Sequence, residues 1–97
     1  MTQPPPFIGD MPVLLFTPID WRHTPTDQTA HTVNGESFGP AAGLVICQDP
    51  DGSSVYLYYC NNEWEPVTDT WHLSVDDAKA QAAFEYSGLD DSWESLG

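Results

Sequence analysis

Positive charge is nearly missing from this sequence of 97 residues. Arg22 and Lys79 stand against fifteen aspartates and glutamates, which gives a net charge of −13 with neutral histidines. Eleven of these carboxylates lie in residues 44–97. A field of this sign repels nucleic acid and anionic membranes and accelerates encounters with basic proteins. We therefore expect no direct nucleic-acid binding, no membrane binding, and a basic partner protein: a toxin, a nuclease or a nucleic-acid-binding protein.

Long hydrophobic runs are missing as well. Residues 55–59 form the longest uninterrupted aliphatic or aromatic run, far below the roughly 20 residues of a membrane-spanning helix. Residues 1–6 hold no cation, whereas a secretory signal begins with positive charge and continues into a longer apolar segment. The pattern predicts a cytoplasmic protein.

Recognisable catalytic and metal-binding motifs are also missing. The sequence has no phosphate-binding loop, no nucleophile elbow and no Cys-x-x-Cys pair. His23, His31 and His72 do not have the spacing of metal ligands. The acidic stretch 49–52 lacks the third acidic ligand and the glycine position of a calcium loop. We expect no enzymatic activity, no catalytic residue, no metal and no cofactor.

Aromatic residues, in contrast, are plentiful, with four Trp, four Tyr and four Phe. Disordered acidic chains are poor in aromatics, so this composition favours a folded protein, and the length is that of one domain. Prolines in the first dozen residues predict a flexible proline-rich arm over residues 1–12. A single small α+β domain is expected over residues 13–97, with its clearest pattern from 44 to 93.

The clearest strand signals lie in the second half of the chain. Residues 44–47 and 55–60 are rich in strand-forming side chains. They flank residues 49–52, whose Asp-Pro-Asp-Gly sequence is typical of a tight turn. This turn would place Ile46 opposite Val55 and make the two segments a hairpin.

A third strand is expected over residues 63–68, following a turn at Asn61-Asn62. This register would place Trp64 opposite Tyr59. Pro66 has no backbone N–H to donate, so the third strand should lie at a sheet edge or pair there only partly.

Weaker strand signals are found in the first half. Residues 13–16 predict a short strand. Asn34-Gly35 is the preferred pair for a two-residue hairpin turn, which would make residues 29–33 and 36–38 a small hairpin.

A helix is expected to begin after Ser74. Its hydroxyl is a favourable N-cap, and acidic residues in the first turn suit the helix dipole. Gly88 can adopt a left-handed conformation and end the helix. The apolar positions recur at helical spacing: Val75, Ala78, Ala82 and Tyr86. The predicted fold is therefore α+β, a small antiparallel sheet (a β-meander plus an N-terminal strand) packed against one C-terminal helix.

The predicted hairpin also bears on the two cysteines. Cys47 would face Ser54, which leaves Cys60 about six positions along the neighbouring strand. At roughly 3.3 Å per residue the separation is well beyond the limit of about 7 Å between bridged Cα atoms. We expect two free thiols.

Strand alternation divides the predicted sheet into two faces. The aliphatic face, to which Trp64 is assigned, suits the alanine-rich helix. The other face displays tyrosines bordered by carboxylates, a composition typical of protein-binding surfaces. The alternative is that residues 13–38 cover this second face. The candidate partner-binding residues are Tyr56, Tyr58, Glu63, Glu65, Asp49 and Asp51.

Residues 69–86, followed by Trp93, resemble the C-terminal end of short uncharacterised acidic bacterial proteins. These proteins carry a similar TW…S…A..QA..EY pattern after a tyrosine-rich strand, and the likeness covers residues 53–93. They are similar in size and acidity to immunity proteins, which neutralise toxins. The resemblance implies an immunity-type role and brings no catalytic residues with it.

Three functions fit these observations. The first is an inhibitor or immunity-type protein that covers a basic surface on an effector. The second is a nucleic-acid mimic of the anti-restriction or anti-CRISPR type, whose carboxylates would have to be spaced like phosphates. The third is a small accessory subunit whose acidity only keeps the domain soluble.

Overall fold

The computed structural model describes residues 3–20, 23–25, 31–33, 36–38 and 41–95. Within these ranges the chain forms short strands and a helix. In chain order they are β1 (Phe7–Ile8), β2 (Met11–Pro18), β3 (Thr24–Pro25), β4 (His31–Val33), β5 (Glu36–Phe38), β6 (Gly43–Gln48), β7 (Val55–Cys60), β8 (Pro66–His72), α1 (Val75–Glu85) and β9 (Tyr86–Ser87).

Five antiparallel strands form a curled sheet in the order β1-β2-β6-β7-β8, with α1 against one face. Two further pairs, β3 with β9 and β4 with β5, lie outside this sheet, and β4 lies beside β8. The predicted α+β fold is therefore confirmed. The small hairpin predicted in the first half of the chain is also present, as β4 paired with β5, with Val33 opposite Glu36. Residues 29–30 and the turn pair 34–35 lie outside the described ranges.

The helix covers what we call the helix face of the sheet. Ser74 caps α1 as expected, because its hydroxyl accepts the backbone N–H of Asp77 at 3.1 Å. The small side chains Ala78 and Ala82 are fully buried and let the helix approach the strands closely. The helix face consists of side chains that are at most 1 % exposed: Leu44, Ile46, Val55, Leu57 and Tyr59.

The opposite side, which we call the curled face, is closed by residues far apart in the sequence. A β-bulge at Leu14 shifts the pairing of β2 with β6 between Val13 and Leu15. Because the bulge adds one residue, Val13 and Phe16 both point to this face, although their spacing of three would separate them in a regular strand. The curled face consists of Val13, Phe16, Val45, Cys47, Cys60 and Trp64.

The predicted register of the central hairpin is wrong by two residues. Ile46 lies opposite Leu57, and Cys47 lies opposite Tyr56. The connection is longer than a four-residue turn, because Asp49 N–H bonds the carbonyl of Ser54 at 2.8 Å and closes a six-residue loop. A slip of two keeps every side chain on its assigned face.

The prediction for Trp64 is wrong as well. Residues 61–65 form a loop in which the Asn61 side chain accepts the backbone N–H groups of Glu63 and Glu65. β8 therefore starts at Pro66 rather than at residue 63, and Tyr59 lies opposite Thr68. Trp64 has a left-handed backbone with φ of 62° and packs on the curled face instead of the helix face. The edge position expected from Pro66 is confirmed, since β8 ends the sheet order.

Both cysteines are free, as predicted, and both are buried. In the observed register Cys60 is four positions from Tyr56, the residue opposite Cys47. This is roughly 13 Å along the strand, still too far for a disulfide. Burial raises the pKa of each thiol to about 12.

The end of the helix differs in detail from the expectation. α1 ends at Glu85, and Tyr86 is an extended C-cap that donates its N–H to Ala82. Gly88 has a positive φ of 82° but lies two residues further on, after β9. The C-terminal segment then turns back, and Glu94 pairs with Phe16 of β2.

Candidate functional site

The two candidate tyrosines lie side by side in the middle of β7. Their rings are stacked, with centroids 6.1 Å apart and planes at 25°. Both side chains are half-buried, and Tyr58 packs against the curled-face cluster. Burial, with Cys47 and Asp69 nearby, raises the pKa of Tyr58 to about 12, which keeps its hydroxyl protonated at neutral pH.

Two residues of β8 extend this aromatic surface. Trp71 is the cross-strand partner of Tyr56, and Asp69 is the partner of Tyr58. Directly opposite residues point to the same side of a sheet. Trp71 is 51 % exposed. Sequence reasoning missed both residues because it ended the third strand at residue 68.

The candidate carboxylates are not brought together. Asp49 and Asp51 lie in the loop before β7, and Glu63 and Glu65 lie in the loop after it, at the opposite end of a six-residue strand. The two pairs are therefore separated by roughly 17 Å or more. Asp51 accepts the backbone N–H and the hydroxyl of Ser53 at 2.8 and 2.6 Å, which lowers the pKa of its exposed carboxyl.

Of residues 13–38, the described part covers only some of the tyrosine face. β2 joins the same sheet next to β6 rather than forming a second layer. Its side chains Val13 and Phe16 close the curled face around Val45. Tyr56 and Tyr58 lie beyond this contact and keep part of their surface open to solvent.

A groove of about 530 Å³ runs between β8 and α1, and we call it the edge groove. Three large apolar side chains in it are exposed: Trp71 at 51 %, Leu73 at 73 % and Phe84 at 50 %. The helical residues of its lining fall at i, i+3, i+4 and i+7 and so share one side of α1, but two of the four are polar and no apolar stripe marks that side in the sequence. The complete lining is Trp71, His72, Leu73, Asp77, Ala80, Gln81 and Phe84.

A buried polar chain connects the end of β2 to the C-terminal segment. His23 Nε2 lies 2.9 Å from the hydroxyl of Ser92, which also bonds Thr17. His23 Nδ1 accepts the backbone N–H of Asp20 at 3.1 Å, and the Asp20 carboxylate lies 3.4 Å away. Sequence reasoning missed this set because 69 residues separate His23 from Ser92.

The composition of this chain is that of a serine–histidine–aspartate triad, but its hydrogen bonds run the other way. A triad needs an Nδ1–H that donates to the carboxylate and a serine hydroxyl that donates to Nε2. Here Nδ1 accepts a backbone N–H, so Nε2 donates to Ser92, which donates to Thr17, which in turn donates to the Pro18 carbonyl at 3.0 Å. The geometry is that of a polar tie between two segments.

A second polar group lies under the helix. The Tyr59 hydroxyl donates to the buried carboxylate of Glu85. Burial raises the pKa of Tyr59, and this hydrogen bond raises it further. Thr70 bonds His72 Nε2 at 2.7 Å. Burial lowers the pKa of His72, although Asp77 and Glu85 act in the opposite direction. His72 is therefore neutral at neutral pH.

The described residues also form a second cleft. A cleft of about 620 Å³ is lined by Pro18, Ile19, Asp20, Ala42 and Asn62. In the ranges that the structure covers, no three His, Cys, Asp or Glu side chains are grouped as metal ligands. The described part of the chain contains no helix that is long and apolar enough to cross a membrane.

Comparison with protein-family profiles, with curated proteins and with solved structures gave no match.

Proposed function

We propose that this chain is a non-enzymatic protein-binding module of the inhibitor or immunity type, which covers a basic surface of an effector protein. The observation that carries this proposal is the stacked pair Tyr56 and Tyr58 with the exposed Trp71 beside it. This aromatic surface belongs to a chain with a net charge of −13. Aromatic anchors within a polar, charged rim are typical of protein interfaces.

The two kinds of side chain have separate roles in this proposal. Carboxylates at both ends of β7 attract a basic surface and increase the rate of encounter. Tyr56 and Tyr58 lie between them and supply contact area, and since each has only two side-chain torsions, little entropy is lost on binding. Asp69 lies opposite Tyr58 and can accept a hydrogen bond from an arginine or lysine of the partner.

The test starts with affinity purification of the chain from its native host. The partner that co-purifies is expected to be basic. Its binding is then measured on a surface at low and high salt, with variants of this chain. Tyr56→Ala and Tyr58→Ala should raise the dissociation rate, because an anchor is lost. Glu63→Lys with Glu65→Lys should mainly slow association, because rim charges act by steering.

A matched control has the same change in charge at another place. Asp90 and Asp91 are both exposed and lie in the C-terminal segment. Asp90→Lys with Asp91→Lys should slow association less than the change at Glu63 and Glu65. Association rates that respond to neither pair, with a dissociation rate unchanged by both tyrosine variants, would refute the proposed function at this surface.

A further inference from the structure

The edge groove gathers most of the exposed large apolar side chains of the described residues. Besides Trp71, Leu73 and Phe84, one other such side chain is found among the residues whose burial the structure describes: Phe7 of β1, at 56 % exposure. Exposed apolar residues are ordinarily scattered singly, and several in one concave region indicate a binding site.

The charges around the groove have one sign. Asp77 lines it, and Asp76 is exposed in the same first turn of the helix. Lys79 is two residues beyond Asp77, roughly 200° around the helix, and so lies on a different side. His72, also in the lining, is neutral at neutral pH because burial lowers its pKa. The groove is therefore apolar at its centre and negative at its rim.

This combination selects the occupant. A second copy of the chain would bring a further net charge of −13 against the first, and anionic lipid would be repelled in the same way. An extended segment would pair with the backbone at the edge of β8, whereas the groove is lined by residues of α1 as well as of β8. A helix satisfies its own backbone hydrogen bonds and needs only side-chain contacts.

We propose that the edge groove binds a cationic amphipathic helix of the partner protein. An apolar side chain of that helix lies among Trp71, Leu73 and Phe84, and a lysine or arginine contacts Asp77. This inference rests on the proposed protein-binding function, and it adds the surface and the chemistry of the partner segment.

The test uses a synthetic peptide of about 18 residues, roughly five helical turns, with leucine on one face and lysine on the other. A peptide of the same composition in scrambled order is the control. The full chain is titrated with each peptide at about 50 mM and about 300 mM salt. The amphipathic peptide should bind more tightly, and it should shift tryptophan emission to shorter wavelength because Trp71 leaves water. Trp71→Phe should abolish this shift.

Exposed residues allow matched variants that keep the fold. Leu73→Ser and Phe84→Ser should each weaken binding of the amphipathic peptide about tenfold or more. Phe7→Ser removes the same ring type at similar exposure away from the groove, and it should leave the affinity unchanged. Asp77→Asn should weaken binding at low salt and have less effect at high salt.

Three results would overturn the inference. The first is equal binding of both peptides or no binding by the amphipathic one. The second is an affinity that Leu73→Ser and Phe84→Ser leave unchanged. The third is a dimer of the free chain in sedimentation velocity that Leu73→Ser converts to a monomer, since a second copy would then occupy the groove. The proposed function has its own test in the co-purified partner and the tyrosine variants, so the two can fail separately.

Discussion

The two faces of the sheet are closed in different ways. The helix face is covered by α1, which follows β8 directly in the chain and begins at a local signal, Ser74. The curled face is closed by Val13 and Phe16 from β2 and by Trp64, which adopts a left-handed backbone in a loop. The cover of one face comes from the element that follows the sheet in the chain, whereas the other face is closed by residues that meet only in the folded chain.

This difference separates two kinds of stability. On the helix face, the cap that starts α1 is expected to make a modest contribution. On the curled face, the Trp64 ring meets Phe16 edge-on at 5.7 Å and lies against Gly43. Substitutions around this indole should therefore have the largest effects in the protein.

The strongest test removes that indole. Trp64→Ala should lower the free energy of unfolding by about 3–5 kcal/mol, because a large buried ring leaves a cavity. Trp71→Ala is the matched control, since its ring is 51 % exposed, and it should cost far less. Urea unfolding measures both. Equal losses would show that Trp64 does not hold the curled face together.

Gly43→Ala tests the same contact from the other side. A Cβ added to Gly43 would overlap the Trp64 ring. Besides the overlapped atom, two further ring carbons would lie 2.8 and 3.0 Å from this Cβ. The cost should be about 1–3 kcal/mol. In a Trp64→Ala background the same change should cost much less, because the clash is gone. Additive losses in urea unfolding would contradict this contact.

Alkaline pH should also weaken the curled face first. The thiols of Cys47 and Cys60 have their pKa raised by burial from 9.0 to about 12. The unfolded chain therefore loses these protons at lower pH than the folded chain. Their contribution is fully present below pH 9 and falls as the pH rises toward 12, at up to about 1.4 kcal/mol per pH unit for each thiol.

Thermal melts between pH 8 and 10 measure this decline. Tyr59 and Tyr86 of the helix-face core have a raised pKa as well, but tyrosines ordinarily ionise only near pH 10.0. Cys47→Ala with Cys60→Ala should therefore flatten the profile between pH 9 and 10. An unchanged slope in this double variant would assign the alkaline sensitivity to other groups.

The helix face has its own sensitive position at Tyr59. Tyr59→Phe removes a donor from the buried carboxylate of Glu85 and should cost about 1–3 kcal/mol. The neighbouring Tyr58 points to the other face and is half-buried. Tyr58→Phe should therefore change the stability by less than about 0.5 kcal/mol. Similar losses for both, measured in urea, would mean that the Glu85 bond contributes little.

The smallest expected effect is at the helix cap. Ser74→Ala should cost about 1 kcal/mol, because Asp77 N–H loses its acceptor. Ser87→Ala is a control at another exposed serine. Circular dichroism melts compare the two variants. A midpoint that Ser74→Ala leaves unchanged would show that the cap does not stabilise the helix face.

The sequence by itself determined the features that depend on neighbouring residues. The start of α1 at Ser74, the edge position of β8 and the pairing of β4 with β5 each follow from a local signal. The tyrosine surface could be predicted for the same reason. Strand alternation assigns Tyr56 and Tyr58 to one face, and a register slip of two residues does not change that face.

Only the tertiary structure decided how distant residues meet. The six-residue loop at 49–54 set the register of β6 against β7, and the loop at 61–65 set that of β7 against β8, which made Trp71 the partner of Tyr56. The bulge at Leu14 brought Val13 and Phe16 to one face, and the fold joined His23 to Ser92 across 69 residues. Such arrangements depend on loop closure and on the packing of the whole core, which no short window of sequence contains.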